Sequence, residues 1–242
     1  MDKITPAIFH ITHWKAGSQW IRKILTDCVP GLIVTPMLNE IQFLEQPIQA
    51  GKVYPTVYVT KEQFDRVNPQ LEWKRFIVIR DLRDTLVSAY FSIRFSHNAN
   101  SEVMLTWRNI LNTSNEEDGL IYLAKEWLPS SAAIQKSWLE SGEPFLRYED
   151  IIENDLEILE KRVLNECNLP VSPDIFRAAV TANRFERLAK GRKRGEENIF
   201  AHERKGTSGD WNNHFSDKVK EYFKAEYGQL LIDTGYAPNS SW

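Results

Sequence analysis

The chain is poor in the features that mark several common protein classes. Its 242 residues include two cysteines, Cys28 and Cys167, far apart and without metal-ligand spacing. That excludes a disulfide framework and a cysteine-type zinc site. Such thrift fits a reducing compartment, so the protein is expected in the cytoplasm. No run approaches the roughly 18 apolar residues of a membrane span, and the N-terminal segment, charged at Asp2 and Lys3, lacks the apolar core of a secretory signal. Neither sign of charge dominates: the formal net charge is −3 and the pI about 6.0. No nucleic-acid partner is therefore expected, and any anion site has to be local. There is no Gly/Ser or Pro-rich linker, no low-complexity tract and no repeat of roughly 20 to 50 residues. A single domain over residues 1–242 is the expectation.

What is present is a chain 42% hydrophobic, enough for a substantial core. Residues 6–12, Pro-Ala-Ile-Phe-His-Ile-Thr, are short, β-branched and mostly apolar, as a buried parallel strand requires. They run through the small residues Ala16, Gly17 and Ser18 into Trp20, Ile21, Ile24 and Leu25, which recur at helical spacing. Residues 56–60 and 76–79 are further buried strands, the second ending in Arg80-Asp81, and residues 144–147 are a fourth. Helical faces follow at Leu82, Leu86, Ala89, Tyr90 and Ile93, and at Ile152, Leu156, Leu159 and Val163. Ser172-Pro173 reads as an N-cap with proline at the first helical position. Residues 98–141 are helix-rich, residues 188–210 form a long loop rich in Gly, Lys and Arg, and a last helix from Val219 to Leu230 is expected to pack on the sheet. Alternating strands and helices imply an α/β fold with a central parallel sheet flanked by helices. Functional loops then lie beyond the strands' C-terminal ends, where Lys15, Lys61 and Arg80 fall.

A strand that turns through small residues into a helix points several backbone N–H groups at one spot, where the helix dipole also favours negative charge. Lys15 adds a cation. The same residues also read as an ordinary tight turn with a surface lysine. The G-x-x-x-x-G-K-[ST] loop of nucleotide triphosphatases is absent, because Lys15 precedes Gly17.

That order carries a resemblance. Thr12-His-Trp-Lys15-Ala-Gly-Ser-Gln-Trp20 resembles the T-Y-P-K-S-G-T-T-W phosphosulfate loop of cytosolic sulfotransferases. Ile79-Arg-Asp-Leu-Arg-Asp-Thr-Leu-Val-Ser-Ala-Tyr90 is similar to their V-R-N-x-x-D-x-x-V-S-x-Y stretch, and Arg204-Lys-Gly-Thr-Ser-Gly-Asp-Trp-Asn-Asn-His-Phe215 to their R-K-G-x-x-G-D-W-K-N-x-F signature. The resemblance implies a single α/β domain related to the P-loop nucleotide kinases. It also implies 3′-phosphoadenosine-5′-phosphosulfate (PAPS) as donor, 3′,5′-ADP as product and no metal. Lys15, Ala16, Gly17, Ser18, Gln19 and Trp20 would hold the 5′-phosphosulfate, and Arg80, Ser88, Arg204, Lys205 and Gly206 the 3′-phosphate. Trp20, Tyr148 of an Arg-Tyr-Glu-Asp segment and Phe185 would meet the adenine, although Asn183-Arg184 departs from the Thr-Ser usual before that phenylalanine.

Sulfuryl transfer is an in-line displacement that rests on positioning and on stabilising charge at the leaving oxygen, a role for Lys15. The acceptor also needs a base. The family's K-T-H is replaced by Val59-Thr60-Lys61, and a lysine at its ordinary pKa is a poor base near neutrality, so Lys61 is assigned to positioning. Glu40-Ile-Gln-Phe43 resembles the E-I-Q-F segment of heparan N-sulfotransferases, whose glutamate is the base, which ranks Glu40 first. His13 ranks second on its near-neutral pKa. The expected acceptor is a small molecule or a glycan, met by residues 98–141 and the loops. Two other readings share the sheet and loop: a phosphotransferase using ATP and magnesium, and a non-catalytic nucleotide-binding protein.

Overall fold

The structure, a computed structural model, describes residues 5–35, 46–67, 70–98 and 101–242. The chain forms two compact units, one of Met1–Arg80 with Ala133–Arg184, the other of Asp81–Ala132 with Phe185–Trp242.

The first unit holds an all-parallel sheet of four strands, β1 (Ala7–Thr12), β2 (Val53–Val57), β3 (Trp73–Ile79) and β4 (Leu146–Arg147), in the order β2-β1-β3-β4. β1 is buried along its whole length, which is why its six residues show no polar alternation. Ile8 faces a cluster with Ile21, Ile24 and Leu25 of α1 (Ser18–Cys28) and Phe176 and Val180 of α9 (Pro173–Ala182). Phe9 faces the aromatics, stacking on Tyr54 at 4.8 Å and meeting Phe64 edge-on at 5.2 Å. From β1 the chain adds β2 on one side and then β3 on the other. This reversal makes a topological switch point at the C-terminal ends of β1 and β3, the place where open α/β sheets bind ligands.

Two elements differ most from the sequence reading. The second strand covers Val53–Val57 instead of 56–60, because Thr60 caps α2 (Lys61–Val67). The Gln63 amide donates to Thr60 Oγ1 at 3.3 Å and the Thr60 amide to Gln63 Oε1 at 2.8 Å, a reciprocal capping box. Thr56 takes φ 58° where the β1–β2 register slips. The helix expected through Ile152 and Val163 is broken at Asn154 into α7 (Tyr148–Glu153), α8 (Asp155–Leu159) and a π-turn, Glu160–Glu166. The Ser172 cap and Pro173 start are as read.

The second unit is helical: α3 (Leu82–Phe91), a π-turn over Ser92–Ser96, α4 (Glu102–Thr113), α5 (Glu116–Glu126), the start of α6 (Leu128–Glu140), α10 (Phe185–Leu188) and α11 (Asp217–Asp233). α11, expected from the sequence to bury an apolar face, does so within this unit. Its Val219, Phe223 and Leu231 join Leu82 and Leu86 of α3 and Leu120 and Leu123 of α5 in this unit's own core, and Tyr227 Oη donates to the Ala124 carbonyl at 2.6 Å. A core built of helices alone satisfies the apolar stripe of α11 as well as a sheet would.

Candidate functional site

In the first unit the ends of β1 and β3 are tied by side chains. Thr12 Oγ1 donates to the Val78 carbonyl at 2.9 Å. His13, fully buried, accepts the Arg80 amide on Nε2 at 3.1 Å and lies 3.0 Å from the Trp14 carbonyl through Nδ1. This arrangement is met by the neutral tautomer with its proton on Nδ1. Burial first, and then the nearby Arg80 charge, lower the His13 pKa to about 4. His13 therefore acts as a post between two strands, with both nitrogens engaged. That geometry runs against the base role considered from the sequence.

Beyond the post the chain turns sharply. Lys15 and Gly17 both take left-handed backbone, at φ 64° and 78°, so successive amides converge on a concavity of the anion-binding type. α1 starts immediately, with no side-chain cap and no acidic residue in its first turn. Ser18, which could have capped it, instead shares a hydrogen bond with Tyr58 Oη at 2.7 Å. The first-turn amides and the positive end of the helix dipole are thus left without a carboxylate competitor. At Gly17 a Cβ would lie 2.7 Å from the Tyr148 ring, so only glycine fits this closely packed turn.

Arg80 holds the loop from the side. Its Nη1 donates to the Lys15 carbonyl at 2.9 Å, its guanidinium lies 4.7 Å over the Tyr148 ring, and its own carbonyl accepts Gln135 Nε2 at 3.0 Å. Trp20 meets Tyr148 edge-on at 6.2 Å. Lys15, Trp20, Arg80 and Tyr148 are thus brought together within one unit. Lys61 lies at the start of α2, with its Nζ held by both oxygens of Asp65 at 2.8 and 2.6 Å. Glu40 lies outside the described residues. Asn183 and Arg184, which depart from the expected pattern, bond Asp27 at 2.7 Å and Asp155 through two 2.8 Å contacts.

The second unit carries the other predicted residues. Ser88 is the one residue of the 82–90 stretch of α3 that is not buried. Gly206, at φ 69°, sits so tightly under Phe185 that a Cβ would lie 2.5 Å from its ring. The 188–210 loop is ordered by its own bonds: Arg192 donates to the carbonyls of Glu196, Glu203 and Arg204, and the Gly195 amide to the Lys205 carbonyl at 2.8 Å. Arg204 pairs with Glu197 and Asp210, and its guanidinium lies 4.5 Å over Phe91. Lys205 Nζ bonds Asp210 at 2.5 Å.

Asp210 is the hub of this segment and was given no role in the sequence reading. It is 4% exposed and also receives Asn213 Nδ2 at 3.0 Å and His214 Nε2 at 3.4 Å. Burial pushes its carboxyl upward, but hydrogen bonds from His214, Lys205, Asn213 and Arg204 outweigh this and hold it far below the usual range. Asp84, equally overlooked, accepts the amides of Gly209 at 2.6 Å and Trp211 at 2.9 Å and so fixes the turn after the basic residues. Both aspartates stand inside the motif strings. Their signal was that each is a fixed letter of its motif string.

The family model described as "Sulfotransferase domain" matches residues 5–235. This chain belongs to the sulfotransferase family. Among similar proteins, a 3-alpha-hydroxysteroid sulfotransferase of Cavia porcellus is 24% identical over 267 residues, covering 96% of this chain and 85% of that one. A crystal structure of mouse sulfotransferase SULT7A1 complexed with PAP aligns over 96% of this chain and 90% of that chain, with a TM-score of 0.69 and 20% identity. A retinol dehydratase in complex with retinol and PAP aligns over 96% and 83%, with a TM-score of 0.53 and 15% identity. These two structures share the fold of this sulfotransferase domain, a parallel sheet flanked by helices. Among its described residues no helix is long and apolar enough to cross a membrane.

Proposed function

We propose that this sulfotransferase domain, residues 1–242 acting as one, moves a sulfuryl group from PAPS to a hydroxyl or amine of a small-molecule or glycan acceptor. It would release 3′,5′-ADP, use no metal and work in the cytoplasm, in keeping with two cysteines that are both free and buried. The observation that carries the reading is the left-handed Lys15–Gly17 turn opening onto an uncapped helix N-terminus, with Arg80 and Tyr148 holding it. Such a turn suits a phosphate ester more than any neutral ligand.

In the reaction an acceptor lone pair forms the new bond to sulfur while the bond between sulfur and the bridging 5′-phosphate oxygen breaks. The electron pair leaves on that oxygen, where the Lys15 ammonium stabilises it. The amides of residues 16–20 orient the 5′-phosphate. Arg80, Ser88, Arg204, Lys205 and Gly206 are assigned to the 3′-phosphate, and Trp20, Tyr148 and Phe185 to the adenine. The acceptor's proton goes to Glu40, since His13 has both nitrogens engaged. Lys61, steadied by Asp65, adds positive charge.

Thermal unfolding without metal tests the donor side: 3′,5′-ADP should raise the midpoint and 5′-AMP should raise it less. Equal shifts would remove the assignments to the 3′-phosphate. No shift with either nucleotide, together with a shift from ATP and magnesium, would replace the reading with a phosphotransferase. Glu40→Gln should abolish turnover of labelled PAPS while keeping the 3′,5′-ADP shift. An unchanged rate would discard Glu40 as the base.

A further inference from the structure

Trp14 stands immediately before Lys15, where the T-Y-P-K pattern has proline. It is the exposed member of the eight tryptophans, 37% accessible. Leaving an indole in water forgoes burial, and this indole is also fixed in place. Its ring stacks on Tyr58 at 4.7 Å with 27° between the planes. Tyr58 is anchored in turn through its hydroxyl to Ser18 at 2.7 Å, and the Trp14 carbonyl is held by His13 Nδ1 at 3.0 Å. The result is a rigid aromatic plate, braced from the phosphate loop itself and one residue from the lysine assigned to the reacting oxygen.

We propose that Trp14 is a specificity-determining residue for the acceptor, and that it selects a flat aromatic ring bearing the hydroxyl or amine to be sulfated. The inference rests on the donor reading given above. The choice of an aromatic over a sugar follows from the polar groups beside the plate. The Tyr58 hydroxyl is taken by Ser18, and both His13 nitrogens are taken by backbone. Among the described residues, these polar groups beside the plate are already engaged, so what it offers is a face to stack on. Stacking on a side chain already fixed costs little ordering on binding.

The experiment compares kcat and KM for 2-naphthol, its saturated analogue decahydro-2-naphthol, and N-acetylglucosamine in the full chain and in Trp14→Ala and Trp14→Phe. The aromatic plate predicts that wild type prefers 2-naphthol. Trp14→Ala should raise the KM for 2-naphthol about tenfold and leave that for the saturated alcohol within about twofold, and Trp14→Phe should keep most of the preference. The 3′,5′-ADP thermal shift should be unchanged in both variants, which shows that they fold and that the donor side is intact. If 2-naphthol is not turned over, or its KM does not move in Trp14→Ala, or N-acetylglucosamine is the acceptor that Trp14→Ala loses, the inference is overturned. Absence of any 3′,5′-ADP shift in wild type would instead sink the donor reading beneath it.

Discussion

The Lys15–Trp20 turn and the Arg204-Lys205-Gly206 segment are both suited to an anion, and they are built in different ways. At residues 15–20 the positive potential comes from the Lys15 cation joined by backbone amides and a helix dipole with no carboxylate in the first turn, the latter part fixed by geometry. At residues 204–206 it comes from side-chain cations, each already paired with a carboxylate, Asp210 or Glu197. The first arrangement needs correct φ angles and close packing. The second needs a balance of charge, and it is the one that pH and salt can adjust.

The largest test of this contrast is acid. His10 and His13, both fully buried in the sheet unit, have pKa values lowered to about 3 and about 4. Because the folded values lie below the unfolded 6.5, the unfolded chain takes up protons first and stability falls as pH drops below about 6.5. From pH 7 to pH 5 the loss should be about 4 kcal/mol, roughly 2 from each ring. Urea titrations across that range measure it. His10→Phe, which keeps the ring stacked on Phe76, should halve the slope. In the helical unit the signs differ. Burial lowers the His214 pKa, but Asp210 and Glu116 raise it by more, so its contribution is present below pH 6.5 and fades as pH rises through the raised value. The Asp210 contribution is present above its unfolded pKa and fades only as pH falls below it.

Next in size is Lys15→Met. Removing the cation assigned to the leaving oxygen should lower kcat by about 10²- to 10³-fold, some 2.7–4 kcal/mol, with a smaller change in 3′,5′-ADP affinity. A kcat within tenfold of wild type would show that the backbone alone carries the chemistry. Gly206→Ala forces a Cβ into Phe185 at a left-handed backbone position and should cost about 2 kcal/mol of stability. Adding Phe185→Ala should recover the steric part and leave the backbone part, of order 1 kcal/mol. The smallest effect is Asp65→Ala, which releases Lys61 from a half-exposed pair and should change stability by less than about 1 kcal/mol. A larger change would mean that Lys61 is held for more than catalysis.

Much of this was legible in the chain. The unbroken apolar run of β1, the small residues that follow it and the helical spacing after Ser18 are local features, and local sterics decide them. Thr60 shows the limit: its β-branched neighbours read as strand, while a capping partner three residues on, Gln63, begins a helix. α11 shows another, because an apolar stripe states that a face is buried and not which partner covers it.

The sequence by itself determined the strand-loop-helix unit, the order of its motifs and the charge types available, since these depend on residue identity and spacing. Only the tertiary structure decided that His13 would be a neutral post, that Arg204 and Lys205 would meet Asp210, and that Trp14 would stand exposed on Tyr58. Those outcomes depend on what the fold packs around each group, since burial and pairing set what each side chain can do.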